Sequence, residues 1–199
     1  NELKKLKSMT FKQKAAYIWE YYKGVFAGII IACVIISIGV QMFQNSQLKS
    51  LLSIAVVDSN YNHDEQVEAL QNDFLAYAGT GDKHEVVDVD TSLLSGDDYN
   101  AVVKMTVVMG AGTADMMFCG EETYKKYKQQ EAFLSWKEVL GDDYSKYEEY
   151  MTDDGRLDLE KCPNWEKYNM VYYSPVYAVV MSSSKNLENC IKFLEMMVQ

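Results

Sequence analysis

Residues 51–57 read Leu-Leu-Ser-Ile-Ala-Val-Val (LLSIAVV), and Asp58-Ser59-Asn60 follow them directly. An apolar run of this length, interrupted only by Ser53, is typical of a strand that is buried on both faces of a sheet. The polar triplet after Val57 ends the apolar run. This stretch therefore predicts a buried strand at the start of an α/β domain.

Helical and strand patterns alternate after this strand. Residues 63–78 have apolar side chains at helical spacing, with acids in the first turn, Asn62 as a candidate cap and Gly79 at the end. The next predicted elements are a strand at His84–Val89, a helix opened by Asp97-Asp98 and closed by Gly110-Ala111-Gly112, a strand at Ala114–Cys119 and a helix at Glu121–Tyr127. Alternating strands and helices indicate βαβ units, so the sequence predicts an α/β fold with a mainly parallel sheet and helices on both faces.

The pattern is less regular towards the C-terminus. Residues 129–167 contain a predicted turn at Asp153-Asp154-Gly155. Met170–Ser182 is rich in strand-forming residues, but Pro175 interrupts it because proline cannot donate a sheet hydrogen bond. The last predicted helix presents one apolar face, formed by Leu187, Ile191, Leu194 and Val198.

A long uncharged stretch precedes the first strand. No charged residue occurs between Lys23 and Lys49, and residues 24–43 read GVFAGIIIACVIISIGVQMF. A helix of that length rises about 30 Å, the thickness of the hydrocarbon core of a bilayer. We therefore predict four segments: a basic cytoplasmic tail (1–23), a transmembrane helix in contact with the lipid bilayer (24–43), a linker (44–50) and an extracytoplasmic α/β domain (51–199).

The distribution of charge predicts the orientation of this span. Residues 1–23 hold six lysines against two glutamates, and aromatic residues stand just before the apolar stretch. Both features predict a plasma-membrane protein with a cytoplasmic N-terminus. A rival interpretation is a lipoprotein signal, because Ile30-Ile31-Ala32-Cys33 resembles a lipobox whose cleavage would leave a lipidated Cys33. Both interpretations place the same domain outside the same membrane.

The composition of the C-terminal part excludes several functions. Residues 24–199 carry 13 basic and 27 acidic side chains, and this negative charge repels phosphate backbones, so nucleic acid is not an expected partner. His63 and His84 have no further ligand at zinc spacing, and the acids around Asp154 lack the spacing of a calcium loop. We expect no metal, no cofactor and, because no nucleophile motif is present, no enzyme activity. Whether two of Cys119, Cys162 and Cys190 form a disulfide stays open.

The stretch from Val102 to Leu140 resembles the extracellular solute-binding proteins of bacterial ABC importers. The similar features are a small-residue turn ending at Asp115 before a strand, the acidic helix start Glu121-Glu122-Thr123-Tyr124, and the segment Ala132–Trp136. The C-terminal sequence from Pro175 to Ser182, followed by a helix, also resembles that family. The resemblance implies a lobe of a periplasmic-binding-protein type II fold.

The resemblance covers only one lobe. Solute-binding proteins trap a ligand between two α/β lobes, whereas residues 120–167 are too few for a second complete lobe. We therefore expect one membrane-anchored lobe that acts as a non-enzymatic module and contacts an envelope protein or a small solute. The alternative is a working substrate-binding component of an ABC importer.

The predicted sheet offers one place for a ligand. With strand order 2-1-3, the order reverses between strands one and three, where open α/β sheets bind ligands at the carboxyl ends of the strands. The same residues also suit ordinary polar loops and helix caps. The candidate binding residues are Asp58, Ser59, Asn60, Tyr61, Gly120, Glu121 and Glu122.

Overall fold

The computed structural model describes residues 10–199, apart from the side chains of residues 11–18, 20, 21, 44 and 45. Lys4, Lys5 and Lys7, which contribute to the predicted cytoplasmic tail, lie outside the described residues. The chain divides into two compact units, residues 1–48 and residues 49–199.

In its described residues, the first unit contains helix α1 (Phe11–Ser46). Its segment Tyr22–Phe43 has a mean hydropathy of 2.5 and is long and apolar enough to span a membrane. The apolar side chains of this segment are exposed, whereas the core helix of a soluble protein buries them. Helix α1 is longer than the predicted span, and the next strand starts at Lys49, so only Gln47 and Leu48 separate the two elements.

The second unit is an α/β domain. Its strands are β1 (Lys49–Val57), β2 (Glu85–Leu93), β3 (Met116–Cys119), β4 (Phe133–Leu134), β5 (Leu157–Asp158) and β6 (Tyr177–Met181). Its α-helices are α2 (Asp64–Ala78), α3 (Tyr99–Ala111), α4 (Glu121–Lys128), α5 (Trp136–Leu140), α6 (Trp165–Tyr168) and α7 (Leu187–Val198). Short 3-10 helices lie at Gly141–Lys146, Glu148–Tyr150 and Leu159–Lys161.

The sheet is mixed, and the prediction of a mainly parallel sheet is wrong. Its order is β2-β1-β3-β6-β4, with β5 also paired to β6. Strand β1 is parallel to β2 and β3, as the predicted order 2-1-3 requires, but β6 is antiparallel to β3, β4 and β5. Helix α6 has only four residues and leads into the segment before β6, where Met170 bonds Asn60 just beyond β1. Strand β6 therefore starts at the edge where β1 and β3 end.

Helices cover both faces of the sheet, as predicted. Side chains alternate along β1, so Leu52, Ile54 and Val56 pack on one face while Ala55 and Val57 pack on the other. The first face packs against α2 and α7, and the second packs against α3 and α4. The buried face of α7 differs from the predicted one: Cys190, Phe193, Leu194, Met196 and Met197 are buried, whereas Leu187 is exposed.

The ends of two helices show how local sequence sets the boundaries. Asp98 caps α3 by accepting hydrogen bonds from the N–H groups of Asn100 and Ala101, and Gly112 ends it with a left-handed φ of 62°. The predicted cap of α2 at Asn62 is wrong, because His63 occupies the N-cap position. The His63 ring instead contacts the Asn60 carbonyl and the Thr91 hydroxyl. It thus joins the loop after β1 to β2.

Candidate functional site

An open cleft of about 330 Å³ lies at the ends of β1 and β3, where the sequence predicts a site. Asp58 reaches it from the end of β1, and Gly120, Glu121 and Glu122 reach it from the end of β3. The structure therefore brings together four of the seven candidate residues. The other lining residues were not predicted, and they are Ser95, Thr123, Tyr172, Tyr173, Ser174 and Pro175.

The remaining three candidates do not line the cleft. The Ser59 hydroxyl donates to the Thr91 carbonyl at 2.9 Å, and the backbone N–H of Asn60 donates to the Met170 carbonyl at 2.8 Å. Tyr61 is fully exposed to solvent. Ser59 and Asn60 therefore tie the loop after β1 to neighbouring segments, and Tyr61 is left in solvent.

Tyr173 occupies the crevice between β1 and β3. Its hydroxyl donates to the Val57 carbonyl at 2.9 Å and lies 3.4 Å from the Phe118 carbonyl. Its ring lies against Gly120, where a Cβ atom would come within 3.2 Å of the Tyr173 Cδ2 atom. Burial raises the pKa of the Tyr173 hydroxyl far above its ordinary value, so the group stays protonated and able to donate.

This tyrosine fills the position at which open α/β sheets bind ligands. A side chain of the same protein therefore occupies the crevice, and it also forms part of the lining of the cleft of about 330 Å³. Sequence reasoning missed Tyr173 because 116 positions separate it from Val57. The only local signal is an aromatic pair just before Pro175.

Glu121 belongs to a network within the domain. It pairs with Arg156 at 2.5 Å and with Lys125 at 3.0 Å, and hydrogen bonds from these two groups lower the pKa of its carboxyl. The Arg156 guanidinium is 11% exposed and lies between the rings of Tyr124 and Tyr177, at 4.4 and 4.1 Å from their centres. Glu121 thus holds α4 against the segment around Arg156.

The other two carboxylates of the cleft, on Asp58 and Glu122, form no ion pair among the described residues. Asp58 has a positive φ of 51°, and its Oδ1 atom accepts a hydrogen bond from the Ser95 N–H at 3.0 Å. Glu122 has no hydrogen-bond or ion-pair partner within residues 10–199 that the structure describes. Asp58 and Glu122 are therefore the carboxylates that a partner can contact without disrupting the domain.

The cysteine thiols are unsuited to nucleophilic chemistry. Cys119, Cys162 and Cys190 are all free and buried, which answers the question that their spacing leaves open. Burial raises the pKa of each thiol to about 12, so each stays protonated at neutral pH. Within the described part of the chain, no group of three or more His, Cys, Asp or Glu side chains could hold a metal ion.

The Asp115 motif, on which part of the resemblance depends, has a structural role. The buried Asp115 carboxylate accepts hydrogen bonds from the Ser53 N–H at 2.9 Å, the Ser184 hydroxyl at 2.8 Å and the Asn186 amide at 3.1 Å. These bonds join β1, the start of β3 and the turn between β6 and α7. The motif therefore determines how the fold closes at the edge opposite to the cleft.

Comparison of the chain with models of known protein families, with curated proteins and with solved structures finds no match.

Proposed function

We propose that the chain is a membrane-anchored, non-enzymatic interaction module built on one lobe of solute-binding-protein type. The observation that carries this proposal is the placement of Tyr173, whose hydroxyl is bonded to the Val57 carbonyl in the crevice that a solute would otherwise enter. A protein that carries solutes needs this crevice to be free, whereas a module that contacts another protein does not.

The shape of the cleft also supports this proposal. Small-molecule sites bury most of the ligand surface, and solute-binding proteins do so by closing two lobes on it. A single open wall leaves roughly half of a ligand in water. Leaving about 100 Å² of apolar surface unburied costs about 2.5 kcal/mol, or roughly 70-fold in affinity.

The apolar segment Tyr22–Phe43 supports the membrane anchor, through its length and its exposed apolar side chains. The lysines in residues 1–23 support a cytoplasmic N-terminus, with the acidic domain outside the plasma membrane. The importer component is the rival function, and it requires a tightly bound nutrient.

The decisive experiment screens the full chain in lipid nanodiscs against sugars, amino acids and short peptides. Thermal shift identifies hits and calorimetry measures their affinity. We expect no dissociation constant tighter than about 1 μM, which corresponds to about 8 kcal/mol of binding free energy. Tighter binding that Glu122→Ala abolishes would refute the module and favour the importer. Glu121→Ala is a poor probe, because it also breaks the Arg156 pair.

A further inference from the structure

Exposed apolar side chains gather at the carboxyl edge of the sheet, where β1, β2 and β3 end. Tyr61 is fully exposed after β1, Leu94 is 57% exposed after β2, and Tyr172 is 74% exposed in the segment before β6. A large exposed apolar group has a cost in water, and a group of them on one surface marks an interaction site. We refer to Tyr61, Leu94 and Tyr172 as the carboxyl-edge surface.

Backbone hydrogen bonds hold the three segments side by side. Ser59 forms a β-bridge with Val171, so the loop that carries Tyr61 lies along the segment that carries Tyr172. Asp58 donates to the Leu93 carbonyl at 3.0 Å and accepts from Ser95, the two residues on either side of Leu94. The three apolar side chains therefore stand on one connected scaffold.

Tyr172 has an aromatic neighbour within the domain. Its ring contacts the Tyr173 ring edge to face, with centroids 6.2 Å apart, and Tyr173 is bonded to the sheet. A tyrosine has few rotatable bonds, so it loses little conformational entropy on binding, and it offers both an apolar ring and a hydroxyl. Such side chains commonly dominate the energy of protein interfaces.

The charge next to this surface selects the chemistry of the partner. Asp58 and Glu122 line the adjoining cleft without an ion-pair partner among the described residues, whereas Arg156 and Lys125 neutralise Glu121. None of the residues that line the cleft is a lysine, arginine or histidine. Arginine and lysine side chains pair with carboxylates and also stack on tyrosine rings. A polypeptide with exposed arginine or lysine side chains complements both the tyrosine rings and the carboxylates. The carboxylates repel the phosphate groups of nucleic acids and anionic lipids.

From this arrangement we infer that the carboxyl-edge surface binds a segment of a partner protein that presents arginine or lysine next to Asp58 and Glu122. The inference rests on the proposed function, because it names the partner class of the same module. Tyr61 and Tyr172 supply the contact area, and the two carboxylates orient the basic side chain.

The test selects random peptides from a display library on the full chain held in phosphatidylcholine nanodiscs. We expect the recovered peptides to be enriched in arginine and lysine over the starting library. Fluorescence anisotropy of the strongest peptide then gives its affinity for each variant. The double variant Tyr61→Ala/Tyr172→Ala should weaken binding about tenfold or more, as loss of a central tyrosine does. Glu122→Gln should reduce the dependence of binding on salt.

Matched control variants test whether binding depends on this surface or on nonspecific apolar and charge contacts elsewhere on the domain. Val107→Ala removes a comparably exposed apolar group from the outer face of α3, and Glu166→Gln removes an exposed carboxylate from α6. Neither control should change the affinity, and all variants should melt at the parental temperature.

Failure to recover basic peptides, recovery of acidic ones, or equal losses in the Val107→Ala control would overturn the inference. The two proposals fail differently. A tightly bound nutrient defeats the module itself, whereas the absence of both a nutrient and a basic peptide defeats only the assignment of the partner.

Discussion

Replacement of Tyr173 by phenylalanine removes one oxygen atom from the crevice between β1 and β3. The ring keeps its place against Gly120, while the Val57 carbonyl loses its donor at 2.9 Å and the Phe118 carbonyl loses its contact at 3.4 Å. The variant therefore measures how firmly the hydroxyl closes the crevice, with little change in packing.

The expected loss follows from these two contacts. A neutral hydrogen bond contributes about 1 kcal/mol net, and a carbonyl left without a donor adds to the loss, so Tyr173→Phe should destabilise the domain by about 1–2 kcal/mol. For a domain of this size, each kcal/mol lowers the melting temperature by about 2–4 °C. Tyr172→Phe is the matched control, because the neighbouring side chain is 74% exposed, and its effect should stay within about 0.5 kcal/mol.

Urea denaturation of both variants, followed by tryptophan fluorescence and circular dichroism, provides the measurement. The reasoning requires a lower midpoint for Tyr173→Phe with an unchanged slope, since the slope reports the surface exposed on unfolding. If Tyr173→Phe is as stable as the parent, the hydroxyl does not hold the crevice closed. The principal support for a module without a solute site would then be lost.

Three further predictions concern electrostatics, the core and topology. Burial raises the pKa of Asp154, but hydrogen bonds from Thr152, Arg156 and Lys128 outweigh burial and lower that pKa to about 2. The ionised Asp154 carboxylate therefore stabilises the folded domain above about pH 4, and this contribution is lost as the pH falls towards 2. Urea midpoints of Asp154→Asn should therefore change less than those of the parent over this range; an equal change would contradict the pair. Leu194→Asp buries an unpaired carboxylate in α7 and should cost several kcal/mol, so a parental thermal melt would contradict the core described here. Protease added to intact cells should degrade residues 142–149 and spare residues 1–14; the opposite pattern would reverse the orientation.

Local patterns predicted the first half of the domain well. From β1 to α4, β1 and β3 are apolar runs, β2 alternates apolar and polar residues, and each helix has its own start or stop signal, such as Asp98 and Gly112 around α3. The order β2-β1-β3 follows from two βαβ units, which have few alternative arrangements. In this part of the chain, each element carries its own sequence signal, and only the pairing of the strands is long-range.

The second half depends on contacts that are distant in sequence. The direction of β6 is set by the path of α6 and of the segment that follows it, which brings the chain to the edge where β1 and β3 end. No residue pattern within Tyr177–Met181 distinguishes an antiparallel strand from a parallel one. The crevice next to the candidate site depends on a similar distant contact. Its polar residues were correctly placed at the ends of β1 and β3, but the ring that fills the crevice comes from a segment with no binding motif.

The sole arginine of the chain explains how an acidic cleft keeps its shape. Arg156 is stacked between Tyr124 and Tyr177 and bonded to Asp154 at 2.7 Å and Glu121 at 2.5 Å, so one cation joins α4, β6 and the turn before β5. A lysine could not stack on two rings while bonding two carboxylates, because it is a point charge on a flexible stem. With Glu121 neutralised inside the domain, Asp58 and Glu122 remain as the charges that face outwards. The same network that stabilises this edge therefore also limits which acids can meet a partner.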